Sequence, residues 1–219
     1  MARHRFLLGT ALLLTIGARP LSAQRILDWQ NRWYWGVKGG TMMYSLPTLG
    51  NVVVPQIGAE WMITGRRVAF YVGYSTTFQA EQDTFPIKGL SGTNNGVSFD
   101  AFRRIQIGAL AMIGDKPLQP YVGIGFVIHS LSNARSAPPS PQPPSQTVSD
   151  DIKAASSGGF LQMMGGIQLR FAKKGALFGQ FQYSAQGSDF LLAGGASSFE
   201  VGLRWAFLPS KENDPTRRN

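Results

Sequence analysis

The segment Phe199-Glu200-Val201-Gly202-Leu203-Arg204-Trp205-Ala206-Phe207 places a large apolar side chain at every odd position and Glu, Gly, Arg or Ala at every even one. Period two is the repeat of a strand whose two faces meet different surroundings. A strand covering a soluble core can alternate in this way. Here, however, a small or charged face alternates with an apolar face tipped by aromatics. That is the pattern of a strand with lipid on one side and a lumen on the other.

The same alternation recurs along the chain in eight segments, at about 33–44, 52–63, 68–79, 98–113, 120–130, 159–171, 176–185 and 198–207. In 68–79, for example, Val68, Phe70, Val72, Tyr74, Thr76 and Phe78 alternate with Ala69, Tyr71, Gly73, Ser75 and Thr77. These segments exceed the usual soluble strand of about 5 to 6 residues and suit a tilted membrane crossing of about 9 to 11. Their connections alternate in length. Tight turns at 64–67, 114–119 and 172–175 are interleaved with long connections at about 80–97, 131–157 and 186–196, and the first, 45–51, is intermediate. Short turns on one side and long loops on the other are the arrangement of a barrel with periplasmic turns and external loops.

Before the first strand, Met1 to Ala23 combines a basic start (Arg3, His4, Arg5), an apolar run from Phe6 to Ile16 and small residues at Ser22 and Ala23. This reads as a secretory signal peptide, too short in its apolar run for the roughly 20 residues of a spanning helix. The chain has no Cys, so an exported domain built from it relies on backbone pairing and packing rather than disulfides. Its net charge is +9, of which Arg3, Arg5 and Arg19 belong to the leader. Export argues against nucleic acid as the counter-charge and favours anionic lipid head groups.

Alternating strand directions sort the aromatics into two levels. Trp33, Trp35, Trp61, Phe70, Phe171, Trp205 and Phe207 face outward near the periplasmic ends, and Tyr74, Phe78, Phe99, Tyr183 and Phe199 face outward near the external ends. Interfacial partitioning of Trp and Tyr produces such girdles. The inward parity carries Lys38, Gln56, Glu60, Tyr71, Arg104, Gln106, Gln162, Gln168, Arg170, Gln180, Gln182, Glu200 and Arg204. Eight strands enclose just enough room for such side chains. Lys38, Glu60, Glu200 and Arg204 fall at similar depth on neighbouring strands, which predicts a lumenal cluster of ion pairs and hydrogen bonds.

Pro120-Tyr121-Val122-Gly123-Ile124-Gly125-Phe126 and the terminal alternation ending at Phe207 resemble the small OmpA/OmpX-type eight-stranded outer-membrane barrels. The resemblance covers about 32–207. It implies insertion by the outer-membrane assembly machinery, which reads an amphipathic last strand ending in an aromatic. In this chain a polar segment, 208–219, follows that aromatic.

One stretch points to chemistry. His129-Ser130-Leu131-Ser132-Asn133-Ala134 offers a base and a hydroxyl nucleophile. It resembles in part the His-x-Ser-Asn-Ala signature of outer-membrane lipid A deacylases, with Ser132, Asn133 and Ala134 matching. Ser130 stands where that signature has its His, and His129 falls on the opposite strand parity. Elsewhere there is no phosphate-binding Gly loop and no His or Cys cluster for a metal. Residues 136–146 are Pro- and Ser-rich and read as an extended, mobile spacer, and 89–96 as a flexible tip. Arg103 falls on the outward parity near the external rim, where a lipopolysaccharide phosphate or a local bulge would account for it.

The expectation is therefore an all-β chain: an eight-stranded antiparallel up-and-down transmembrane β-barrel preceded by a cleavable signal peptide. Residues 1–23 are the leader, 24–31 a short periplasmic segment, 32–207 the barrel and 208–219 a polar periplasmic tail. The expected role is structural or adhesive, without a cofactor, as a monomer in the outer membrane in contact with lipid and lipopolysaccharide. A lipid A hydrolase using His129, Ser130 and Ser132, or a narrow channel, are the alternatives.

Overall fold

The computed structural model describes residues 32–86, 94–114, 116–140, 144–171, 174–185, 187, 190–192 and 194–209. The leader, the segment 24–31 and the tail from 210 onward lie outside the described residues.

Eight strands close into an antiparallel barrel. In chain order these are β1 (Arg32–Leu46), β2 (Gly50–Thr64), β3 (Val68–Thr77), β6 (Ala101–Met112), β7 (Leu118–Ser132), β9 (Ser157–Arg170), β10 (Gly175–Ala185) and β11 (Gly195–Pro209). Each pairs with the next, and β11 closes on β1 through partners such as Trp35↔Trp205 and Gly40↔Glu200. Closure leaves no open sheet edge among the paired stretches, which is what a strand structure needs in order to span hydrocarbon. The alternation works as expected. Odd positions of β11 from Phe199 to Phe207 are exposed, while Glu200, Arg204 and Ala206 are buried.

Two local features follow from the residues present. Gly50 and Gly114, with φ of +72° and +81°, supply the left-handed backbone that the β1–β2 and β6–β7 turns require. Pro55 lies just beyond the last β2–β3 pair, Gln56↔Thr77, and opposite Thr41 on β1, whose carbonyl accepts from the Gln56 side-chain amide at 3.2 Å.

The external connections are more ordered than the sequence suggests. The long strand expected over 98–113 is interrupted at Asp100. Its first residues belong instead to β5 (Asn94–Phe99), which pairs with β4 (Glu81–Pro86) and β8 (Arg135–Ala137) in a separate three-stranded sheet. The expected third strand likewise ends at Thr77, so Phe78 and Gln79 lie in the link to β4. The Pro/Ser-rich spacer is not uniformly extended. It begins in β8 and ends at Ser145, the N-cap of helix α1 (Gln146–Ala155). Residues 141–143 and most of the tip at 89–96 lie outside the described residues, while Asn94 to Gly96 are in β5.

Side-chain and backbone bonds tie these pieces to the barrel. The Asp83 carboxylate accepts from the backbone N–H groups of Thr48 at 2.9 Å and Thr84 at 2.7 Å and from the Thr48 hydroxyl, which fastens β4 to the β1–β2 turn. Gly96 N–H donates to Ser140 Oγ at 2.9 Å, and Leu191 N–H donates to the Ala155 carbonyl at 3.0 Å. Beneath them is one apolar cluster. Met42, Tyr44, Leu46, Val54, Phe102 and Leu131 come from the barrel strands, Phe85, Val97 and Phe99 from the outer sheet, Ile152 from α1, and Phe190, Leu191 and Leu192 from the β10–β11 connection. Burying each such side chain contributes roughly 1.5–3 kcal/mol, enough together to hold the cap on the barrel mouth.

Candidate functional site

The lumen has three levels. At mid-height it is charged. Glu200 accepts from Lys38 Nζ at 2.9 Å and Arg104 Nη2 at 2.7 Å, and also from Gln180 Nε2 at 2.7 Å, Gln182 Nε2 at 3.1 Å and Gln56 Nε2 at 3.2 Å. Arg104 goes on to donate to Ser75 Oγ at 3.0 Å and Ser198 Oγ at 3.1 Å, and Lys38 to Tyr71 Oη at 2.8 Å. Nearer the periplasmic end Arg204 pairs with Glu60 through Nε, donates to Gln168 Oε1 at 3.0 Å and lies 3.9 Å from the centroid of the Phe178 ring. Charges held this far from water persist because each has an opposite charge and amide or hydroxyl partners.

Lys38, Glu60, Glu200 and Arg204 therefore all face the lumen, as two ion-paired groups joined through Gln180, which accepts from Arg204 Nη2 at 3.4 Å and donates to Glu200 at 2.7 Å. Glu60 is bound to Arg204, and Glu200 to Lys38 together with Arg104. Strand parity places Arg104 only among the side chains that fill the lumen. It reaches Glu200 from β6 across the barrel, a contact that counting depth along neighbouring strands does not reveal. Glycine makes the space for this network: a Cβ on Gly73 would lie 2.6 Å from Tyr71 Oη and 2.7 Å from Gln106 Oε1.

The flanking levels bring in apolar side chains, and the periplasmic one mixes them with the buried polar groups Thr64, Gln119, Gln168 and Arg170. The periplasmic one gathers Tyr34, Met62, Ala69, Tyr71, Leu110, Met112, Tyr121, Met164 and Ala206, and the external one is the cluster beneath the cap. His129 sits in the external level, fully buried, with ring centroids of Phe102 at 4.9 Å, Phe160 at 5.1 Å and Phe190 at 5.9 Å. Its Nε2 is 3.3 Å from Ser184 Oγ. Ser130 and Ser132 have the opposite parity on β7 and are half-buried on the outer side. The geometry thus joins His129 to Ser184 and separates it from the two serines expected to serve as nucleophiles.

On the outside, Trp33, Trp35, Phe70, Phe171, Trp205 and Phe207 are exposed, and Trp61 is half-buried between Trp33 at 5.5 Å and Phe70 at 6.1 Å. Tyr74, Phe78, Tyr183 and Phe199 are exposed toward the other end. Phe99 is a correction to the expected girdle. It is fully buried in the cap cluster, because the break at Asp100 puts it in β5, whose parity is set by a different sheet. Between the girdles the outward residues are Val, Ile, Leu, Phe, Met, Ala and Gly. A closed barrel wearing such a belt can be stable only with hydrocarbon around it.

The fold is that of the small eight-stranded outer-membrane barrels. Neisserial surface protein A matches at a TM-score of 0.54 and 14% identity, over 80% of this chain and 97% of that one. Ail, the attachment invasion locus protein of Yersinia pestis, whose structure is a complex with the heparin analogue sucrose octasulfate, matches at 0.50 and 9%, over 81% and 99%. OprG of Pseudomonas aeruginosa matches at 0.50 and 9%, over 82% and 98%. No protein-family model matches the chain, and no curated protein matches it. The barrel and its lipid-facing belt are those of an outer-membrane protein.

Proposed function

We propose that this is a monomeric, non-enzymatic outer-membrane barrel that contributes to the envelope or to surface attachment through its folded external cap. The single observation that carries the reading is the filled lumen. A hydrogen-bonded charged layer fills the barrel at mid-height and an apolar cluster covers it on the cap side, so the barrel presents its cap rather than a passage. The cap is also the one part whose order exceeds what anchoring requires, since three connections converge on it. The similarity to Ail, the attachment invasion locus protein, supports a role at the cell surface.

The test compares cells displaying the full chain with cells displaying a variant in which 81–99 is replaced by a short Gly/Ser turn. Loss of surface attachment with unchanged heat-modifiable gel mobility is the expected result. Unitary conductance in planar bilayers would overturn the closed-lumen reading. Release of acyl chains from lipid A that disappears in Ser132→Ala would replace it with a hydrolase.

A further inference from the structure

Among the described residues the outer face of the barrel carries one charge. Among the described residues of its eight strands, the outward positions hold apolar, glycine or uncharged polar side chains, and Arg103 on β6 is the exception. Charge on the lipid face destabilises a barrel in proportion to its depth, so an arginine there is tolerated close to the interface and not at mid-membrane.

The register gives its depth and its neighbours. Arg103 pairs with Thr76 on β3 and with Ser130 on β7, and Ser130 pairs in turn with Ser157 on β9. One row toward the periplasm the partners are Tyr74, Ile105, Ile128 and Gly159, and below those are Val72, Ile107, Phe126 and Leu161. The outer face thus changes within a single row from apolar to a guanidinium flanked by hydroxyls. Directly opposed residues on neighbouring strands have Cβ atoms about 4.5–5.5 Å apart, so the two hydroxyls beside Arg103 fall within reach of any group the guanidinium holds.

Among the described residues Arg103 also has no counter-charge. Its side chain makes no ion pair or hydrogen bond among the described residues. Asp100, the nearest carboxylate in the chain, is already occupied by Asn133 Nδ2 at 2.7 Å and Arg135 Nη1 at 3.2 Å.

We propose that Arg103, with Thr76, Ser130 and Ser157, binds the phosphate of an outer-leaflet glycolipid whose acyl chains lie along Ile105, Ile128, Ile107 and Phe126. A guanidinium matches two phosphate oxygens with parallel N–H donors, and the Ser130 hydroxyl serves a third oxygen, while the Thr76 hydroxyl, which donates to the Thr77 carbonyl at 3.2 Å, reaches the phosphate only by giving up that bond. The apolar rows directly beneath the charge select a phosphate that comes with hydrocarbon attached. The site rests on the reading of this rim as the external one.

The test uses the full folded chain in detergent micelles, with bound lipid counted by native mass spectrometry. The probes are bis-phosphorylated lipid A, the same lipid without its phosphates, and inorganic phosphate. The wild type retains the phosphorylated lipid in preference to the dephosphorylated one. Arg103→Ala weakens that retention about tenfold, the scale of one charge-assisted contact, while Arg103→Lys keeps part of it. Ser130→Ala, which leaves the charge in place, weakens it by a smaller factor. Equal retention of both lipids by the wild type, or unchanged retention in Arg103→Ala, overturns the site. Displacement of the lipid by inorganic phosphate at equal concentration overturns the lipid as its source. Heat-modifiable mobility is followed in parallel. A folded barrel indifferent to phosphate loses only this site, whereas a wild-type chain recovered in the soluble fraction loses the membrane reading itself.

Discussion

The same lumen is filled in two ways. At mid-height, five charged side chains and a set of glutamines bond to one another, with Glu60 Oε2 and Gln162 Oε1 left unbonded among the described residues. At the external mouth, Tyr44, Phe85, Phe99, Phe102, Ile152, Phe190 and their neighbours pack as in the core of a soluble domain. The difference follows from what surrounds each level. Where the strands are belted by lipid, the barrel is too narrow for anything but side chains from its own wall, and polar groups there satisfy one another in a specific register. Where the strands rise clear of the membrane, loops can fold back over the opening, and apolar burial is the force available to hold them. The polar layer therefore belongs to the barrel and the apolar layer to the cap, and each should respond separately to damage.

The largest expected effect is on the polar layer. Glu200→Ala leaves Lys38 and Arg104 buried without their carboxylate, and losing one partner of a buried pair costs about 3–5 kcal/mol. Denaturant titration of the folded barrel in micelles, followed by heat-modifiable mobility, should show a midpoint shift of the whole barrel. An unshifted midpoint would mean that water reaches this layer and screens it. Phe102→Ala is the matching perturbation of the cap. Its ring contacts Tyr44 at 5.4 Å and Phe190 at 6.2 Å, and truncating such a buried ring costs about 3 kcal/mol or somewhat more. Here the expected readout is local. Protease cleavage within 80–99 and 131–157 accelerates while the barrel keeps its mobility shift. If both variants unfolded barrel and cap together, the two levels would be a single cooperative unit.

A milder test reaches the cap from its edge. Ser145 Oγ accepts from the Val148 N–H at 3.3 Å as the N-cap of α1, and removing such a cap costs about 1 kcal/mol. Ser145→Ala should raise amide exchange through Gln146–Ala155 and leave β9 protected. Faster exchange in β9 as well would show that the helix braces the strand it precedes.

How much of this the sequence discloses divides along the same line. Barrel strands repeat with period two because lipid and lumen impose opposite demands on alternate residues. Val201, Leu203 and Trp205 against Glu200 and Arg204 therefore reveal both faces without further information. The cap imposes no such repeat. Phe99 follows the parity of the segment after it in sequence, and only the break at Asp100 shows that it packs inward with β5. Gln146–Ala155 buries Ile152 alone, too little apolar signal to announce a helix beyond a proline-rich run. The lumenal pairs are intermediate. Parity places Lys38, Glu60, Glu200 and Arg204 inside, but the choice of Arg104 as a partner for Glu200 depends on distance across the barrel, which no stretch of sequence encodes. His129 shows the same limit, since its contact is Ser184, 55 residues away.

The smallest expected effect lies at the junction of the two regions, where β5 hands over to β6. Asp100 is solvent-accessible, and its carboxyl is held below the ordinary aspartate value, first by the hydrogen bond from Asn133 and then by the Arg135 charge. A folded-state value that is depressed means the corner is stabilised above the unfolded aspartate pKa, and that this stabilisation is lost as pH falls through the folded value. Salt screens the exposed Arg135 partner strongly and the short amide bond weakly. An NMR titration of the Asp100 carboxyl should therefore give a midpoint below that of an ordinary aspartate. Asn133→Ala should raise that midpoint more than Arg135→Ala does, and added salt should move it mainly while Arg135 is present. A larger response to Arg135→Ala would make the corner an ion pair first and a turn second, and the cap would then be joined to the barrel at this point by charge rather than by backbone geometry, in which Asn133 already adopts a positive φ of 55°.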